Sequence, residues 1–173
     1  MAIKNSVLID NELLVFEVLE FARIQLFDGV IWQGENINDA SAKGAAFYAY
    51  DEPPTESIAS ITIVDVSDDS QEPDISQLSV DGVADIDANL KLAVSSNMDL
   101  IQWMGSHLNQ TEKMKGLVTA YIVKNNGKEW QYIACRFSVK NRKLAAVGMF
   151  EVSKQDPLAK LVFQTLRSVS FRD

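Results

Sequence analysis

Few residues in this chain have side chains suited to catalysis. It has one histidine, His107, and one cysteine, Cys135. A thiol and an imidazole in contact make a nucleophile and its base, but 28 residues separate these two and the spacing says nothing about contact. Cys135 alternates with Ile133 and Phe137, the pattern of a small apolar residue in a core strand. No G-x-S-x-G elbow occurs for a serine nucleophile. One His and one Cys are too few ligands for zinc, and no standard Gly-rich phosphate loop is present. Asp65, Asp68, Asp69, Glu72 and Asp74 offer many oxygens. They lack the Gly and the terminal Glu of a calcium loop, and a charge run does not by itself set two carboxylates across a cleft. The expectation is no catalytic residue, no metal and no cofactor.

The aromatic residues are better candidates, as binding surface. They are Trp32, Trp103, Trp130, Phe47, Tyr48, Tyr50, Tyr121 and Tyr132. Trp130 and Tyr132 alternate on one strand face with Ala134 and Arg136, and aromatics beside an arginine are the usual make-up of an interface hot spot. The candidate partner-binding residues are Trp130, Tyr132, Arg136, Trp103 and Trp32. The competing account is that this face is packed beneath a helix. Left uncovered, it would be a groove or a dimer surface.

The elements that must position these residues follow from periodicity. Two early strands are read between Glu12 and Leu26, the first of which also fits a helix. Asp28-Gly29 signals a turn, and a short strand runs from Ala45 to Asp51, closed by Pro53-Pro54. In Ser57 to Val66, Ile58, Ser60, Thr62, Val64 and Val66 fall on one face and Ala59, Ile61, Ile63 and Asp65 on the other. An acidic loop, SDDSQEPD, follows.

A helix is predicted over 80–94, with Val83, Ile86, Leu90, Ala93 and Val94 as its stripe and Ser79 or Asp81 as cap. DLIQWMGSHL leans towards strand. Strands at 117–124, 129–139 and 142–152 form an antiparallel meander, its first turn made by Asn125-Asn126-Gly127. Asp156 and Pro157 open a last helix lined by Leu158, Leu161, Val162, Thr165, Leu166 and Val169. The order argues an α+β fold, a mostly antiparallel β-sheet flanked by helices, in a single domain of residues 1–173.

Composition agrees. The chain has 173 residues, 47% of them apolar, and a chain of this size buries roughly 70% of its surface without staples. A lone cysteine precludes an intrachain disulfide. The formal charge of −8 is uneven: residues 1–110 hold 19 acids and 4 bases, residues 111–173 hold 5 acids and 12 bases. The acidic field repels a phosphate backbone, so no nucleic-acid partner is expected. Lys140, Arg142 and Lys143 read as solvating a hairpin turn and offsetting the acidic half. No apolar run is long enough for a membrane span, and no signal-peptide pattern opens the chain, so the expected location is cytoplasmic.

In sequence, FARIQLFDGVIW, SITIVDVSDD, the amphipathic helix, KGLVTAYIVKNNGKEWQYIACRF, KLAAVGMFEV and DPLAKLVFQTLRSVSF resemble the PsbP-like fold superfamily. The resemblance covers most of the chain and rests on element order and a few apolar and Gly positions. It implies a central antiparallel sheet flanked by helices. Its characterised members are mostly not enzymes: an extrinsic subunit of the photosynthetic oxygen-evolving complex, a Ran-binding nuclear import factor, and bacterial chaperones for type VI secretion effectors. The short acidic bacterial branch is the most similar. The resemblance implies a protein-interaction domain, a chaperone or adaptor for secreted proteins, whose partner is another protein or a second copy. No residue role is carried over. The alternative is a small-molecule or lipid-binding domain with a pocket between the sheet and the two helices.

Overall fold

Most strands in this chain pair with a neighbour in sequence, and two long-range pairings, one in each sheet, join the two halves. The structure, a computed structural model, describes residues 7–9, 14–19, 22–27, 30–39, 42–50, 56–110 and 114–171. The elements are β1 (Val7–Ile9), β2 (Leu14–Leu19), β3 (Ala22–Leu26), β4 (Ile31–Asn38), β5 (Lys43–Tyr50), β6 (Ala59–Asp65), α1 (Val83–Asn97), β7 (Asp99–Gln110), β8 (Lys115–Asn125), β9 (Lys128–Val139), β10 (Arg142–Glu151), α2 (Gln155–Arg167) and β11 (Ser170–Phe171). An eight-stranded sheet runs in the order β1-β4-β5-β6-β10-β9-β8-β7, and a three-stranded one in the order β11-β3-β2. All pairs are antiparallel. The seam is β6 against β10, where Ala59 pairs Phe150 and Asp65 pairs Leu144. The α+β expectation, a mostly antiparallel sheet with flanking helices, is the fold observed.

Local chemistry explains the best-read elements. Asn126 and Gly127 both have positive φ, 52° and 76°, which closes the β8–β9 hairpin with a two-residue turn. The next hairpin turns at Lys140-Asn141, and there Lys140, not Asn141, takes the positive φ of 56°. The predicted faces of β6 hold: Ala59, Ile61 and Ile63 are buried in the core. DLIQWMGSHL, read as leaning towards strand, lies in β7, which extends the meander to four strands.

Other expectations shift. The helix at 80–94 is a 3₁₀ turn at Val80–Gly82 followed by α1; Ser79 precedes the turn without a side-chain cap bond, and Asp81 lies inside the turn rather than capping it. At its other end α1 runs three residues further, because Ser95 and Ser96 hydroxyls donate to the Leu92 carbonyl and the Asn97 amide to that of Ala93. Those side chains satisfy carbonyls that a helix end leaves unpaired. The last helix begins at Gln155, after a 3₁₀ turn at Val152–Lys154. The Asp156 cap, the Asp28-Gly29 turn and Pro53-Pro54 lie outside the described side chains and residues.

The core lies on one face of the large sheet. There α2 presents Leu158, Leu161, Val162, Thr165 and Leu166, all buried, and β3 adds Ala22, Ile24 and Leu26. The helix lies close because Gly148 has no side chain: a Cβ there would meet Val162 Cγ1 at 2.5 Å and Leu166 Cδ1 at 3.0 Å. Helix α1 lies on the opposite face, against β7, and buries none of its residues.

Candidate interaction surface

Register places one row of side chains straight across the face opposite α2. Tyr48 on β5 pairs Ser60 on β6, which pairs Met149 on β10, then Tyr132 on β9, Tyr121 on β8 and Trp103 on β7. Cross-strand neighbours on one face are close enough for their side chains to touch. The last three stack as a ladder, with Trp103 and Tyr121 centroids 5.4 Å apart and Tyr121 and Tyr132 5.2 Å apart, nearly parallel in both pairs.

The two ends of the row differ. At the β7 end Trp103 lies beneath α1, where its Nε1 donates to both Asp87 carboxylate oxygens at 3.1 Å. Ser106 Oγ donates to the same carboxylate at 2.6 Å and shares a 2.8 Å bond with Thr119. Tyr121 is buried within the stack, and burial raises its pKa, with Tyr132 adding to the rise. From β9 to β5 no helix lies over the row among the described residues. Tyr132, Met149, Val147, Thr62, Val64 and Tyr48 are all half-buried there. Tyr48 donates to Glu35 Oε1 at 2.8 Å, and burial followed by that carboxylate pushes its pKa up to about 12. The result is an open sheet face of aromatic, aliphatic and thioether groups with carboxylates at its rim.

One border of this face is the acidic loop between β6 and α1. Its carboxylates serve the loop itself: Asp69 Oδ1 accepts from the Gln71 amide and Asp74 Oδ1 from the Ser76 amide, each at 2.9 Å. Those bonds from Ser76 hold the Asp74 carboxyl below its usual range. Buried Ile75 pins the loop. Three cations tie it to the sheet. Arg136 Nε reaches Glu72 Oε2 at 3.2 Å, Lys143 Nζ donates to the carbonyls of Asp69 and Glu72, and Lys115 Nζ donates to that of Leu78. Lys143 therefore anchors a loop, where the sequence read it as solvating a turn. Among the described residues no group of three His, Cys, Asp or Glu is placed to hold a metal.

The five sequence candidates separate accordingly. Trp130 and Tyr132 are half-buried on the open face. Trp103 shares that face but is held by Asp87 under α1. Arg136 also points to that face, and its guanidinium is engaged by Glu72. Trp32 is a correction: it is 0% exposed, on the α2 side, with its Nε1 bonded to the Phe27 carbonyl at 3.0 Å. Register explains it, since Trp32 pairs Ala49, which pairs Ala59 and then Phe150, a buried row. Tyr48, named among the aromatics, and Thr62, placed on a strand face, were not chosen as partner-binding residues; Val147 and Met149 are the surface residues that sequence reasoning missed. The odd-numbered face of KLAAVGMFEV held their signal, Val147 and Met149 alternating with Ala146, Gly148 and Phe150.

His107 and Cys135 do share a face, the α2 side, with Val118 between them on the middle strand. At about 4.8 Å per strand the two backbones stand about 10 Å apart. Burial pushes the Cys135 thiol up to about 11, only partly offset by Arg136. A protonated thiol two strands from the imidazole is not an activated nucleophile.

No family model matches the chain, and no curated protein is significantly similar to it. Solved structures are. The solution structure of cyanobacterial PsbP (CyanoP) from Synechocystis sp. PCC 6803 aligns over 94% of this chain and 94% of that one, with a TM-score of 0.66 at 10% identity. The fold is that of PsbP. Two further structures share it: protein PA94 from Pseudomonas aeruginosa, of unknown function, covers 93% of this chain and 98% of its own at 10% identity and a TM-score of 0.52. LpqN of Mycobacterium tuberculosis, involved in cell envelope biogenesis, covers 98% and 91%, at 10% identity and a TM-score of 0.51. Within this PsbP fold, no described helix is long and apolar enough to cross a membrane.

Proposed function

We propose that this chain is a non-enzymatic interaction module that holds a segment of another protein on its open sheet face, as a cytoplasmic chaperone or adaptor. The observation that carries the proposal is the uncovered stretch of the aromatic row, Tyr48, Met149 and Tyr132, with Trp130, Val147 and Thr62 around it. Aromatic and thioether side chains supply contact area that adapts to the segment presented. The rim carboxylates Glu35 and Glu151, with the acidic loop beyond them, favour a partner whose apolar residues are interspersed with Lys or Arg. The resemblance to bacterial secretion chaperones supports a secreted effector as that partner. A second copy of the chain is the competing occupant.

The test is affinity capture of the tagged full-length chain from its native host at low salt, with mass spectrometry of what is retained. One stoichiometric protein is expected, and Met149→Glu and Tyr132→Ala should each reduce it at least tenfold. Arg167→Gln, on the opposite face, should leave it unchanged. Capture that ignores both face substitutions would remove this surface as the site. Retention of only the chain itself, with the mass of a dimer in solution, would replace the foreign partner by a second copy.

A further inference from the structure

On the α2 side the helix covers β10 and β6 but leaves the β7–β9 end of the sheet partly open. There a cleft of about 350 Å³ lies between the sheet and the outer flank of α2. Val118, Ile133, Cys135 and Phe137 form its floor, and Phe163, Leu166 and Val169 form the helix-side wall. It touches α2 alone, because α1 lies on the other face. A pocket shared by the sheet and both helices, the arrangement foreseen from sequence, is therefore ruled out by topology. The volume falls at the lower end of the ~300–1,000 Å³ range of small-molecule sites.

The polar groups of the cleft are few and placed at its edge. Arg167, His107 and Asn109 are all exposed lining residues. Arg167 carries the one permanent charge in the lining, and it is positive in a chain of net charge −8. Among the described residues it has no ion-pair or hydrogen-bond partner, unlike Arg136, Arg142 and Lys143. An arginine in the last turn of a helix is favourable by itself. At the mouth of an apolar cleft it is also a free fork of donors for a carboxylate.

We infer that this cleft binds a medium-chain acyl carboxylate, with the alkyl chain on Val118, Ile133, Phe137 and Phe163 and the carboxylate at Arg167. Counting about 30 Å³ for each heavy atom, as for a water, the cleft takes about twelve, the size of a ten-carbon acid with its two carboxylate oxygens. An uncharged alkane leaves Arg167 without a partner, and a cationic amphiphile is repelled by it. The site is independent of the open face on the other side of the sheet.

The test is calorimetric titration of the delipidated full-length chain with decanoate, with decanol and decylamine as neutral and cationic controls. Decanoate should bind saturably at one site per chain. Arg167→Gln should weaken it about tenfold, the loss expected for one charge-assisted bond, and decanol should bind the native chain about as weakly. Val118→Trp should abolish binding by filling the floor. Should that variant fail to fold, Phe163→Ala, a change at an exposed side chain, should weaken decanoate severalfold. Absence of saturable binding, or affinity indifferent to Arg167→Gln and to both apolar changes, would overturn the site. Tyr132→Ala should leave decanoate affinity unchanged, so this cleft and the partner face can fail separately.

Discussion

The two helices of this protein do unequal work. Helix α2 sends five residues into the core and closes over Gly148, whereas α1 lies on an edge strand with none of its residues buried. Beside α1 the apolar groups Leu92, Ile101 and Met104 stay 66%, 47% and 50% exposed. Ile101 and Met104 are the residues skipped by the β7–β8 ladder at its two register shifts, and Gly105 takes a positive φ of 95° at the second. Such bulges bend an edge strand and discourage pairing with another chain. One helix is thus held by burial and the other chiefly by a polar knot on Asp87. The difference teaches that an amphipathic stripe in sequence does not guarantee a buried helix; what it faces decides.

The sharpest way to break this contrast is at Gly148. Gly148→Val would drive a side chain into Val162 and Leu166 and should destabilise the whole fold by about 3 kcal/mol, read as a lower denaturant midpoint. An unchanged midpoint would mean that α2 is not close-packed there.

A second probe uses pH. Burial keeps the Cys135 thiol protonated to about pH 11, against 9.0 for the exposed group. Between those values the unfolded chain releases the proton while the folded one keeps it, so stability falls as pH rises through that window, by about 2 kcal/mol. Thermal melts from pH 8 to 11 should show the decline, and Cys135→Ala should flatten it. The part that remains should come from the tyrosines that burial also raises on the other face, Tyr48, from 10.0 to about 12, together with Tyr121 and Tyr132. An equal slope in Cys135→Ala would place the alkaline sensitivity elsewhere.

The smallest effect belongs to α1. Asp87→Ala leaves Trp103 Nε1 without its acceptor and should cost about 1 kcal/mol. It should red-shift Trp103 emission and speed amide exchange in α1 about tenfold, with little change around α2. Global unfolding on losing Asp87 would show that α1 is part of the main cooperative unit.

Much of the fold was legible in sequence because its signals are local. Asn126-Gly127 sets a hairpin through positive φ, SITIVDV declares its two faces by alternation, and Leu158 to Leu166 repeat at helical spacing. β4 was not legible: in IWQGENIN the positions on Trp32's side of the strand are Gly34 and the exposed Asn36 and Asn38, which leave no apolar alternation. Trp32 was misplaced for the same reason, since without β4 its face is undefined. Of the interaction surface, Trp130 and Tyr132 were legible from their own strand. Met149 is only 17 residues from Tyr132, in the next strand of the meander, and was not singled out because it is not aromatic; Tyr48, 84 residues before Tyr132, joins the row only through the β6–β10 pairing.

By itself the sequence determined most of the element types, the meander, the two faces of β6, the apolar stripe of α2 and the scarcity of catalytic groups, each a matter of residues within a few positions of one another. Tertiary structure decided three further things. It set β10 beside β6, which assembles one aromatic row from strands distant in sequence. It put the two helices on opposite faces, which leaves one face open and one cleft half-covered. It also turned Arg136 and Lys143 onto the acidic loop while leaving Arg167 without a partner among the described residues. The physical reason is common to all three: strand pairing fixes which side chains share a face, and burial fixes which of them still meet solvent, and neither can be read from spacing along the chain.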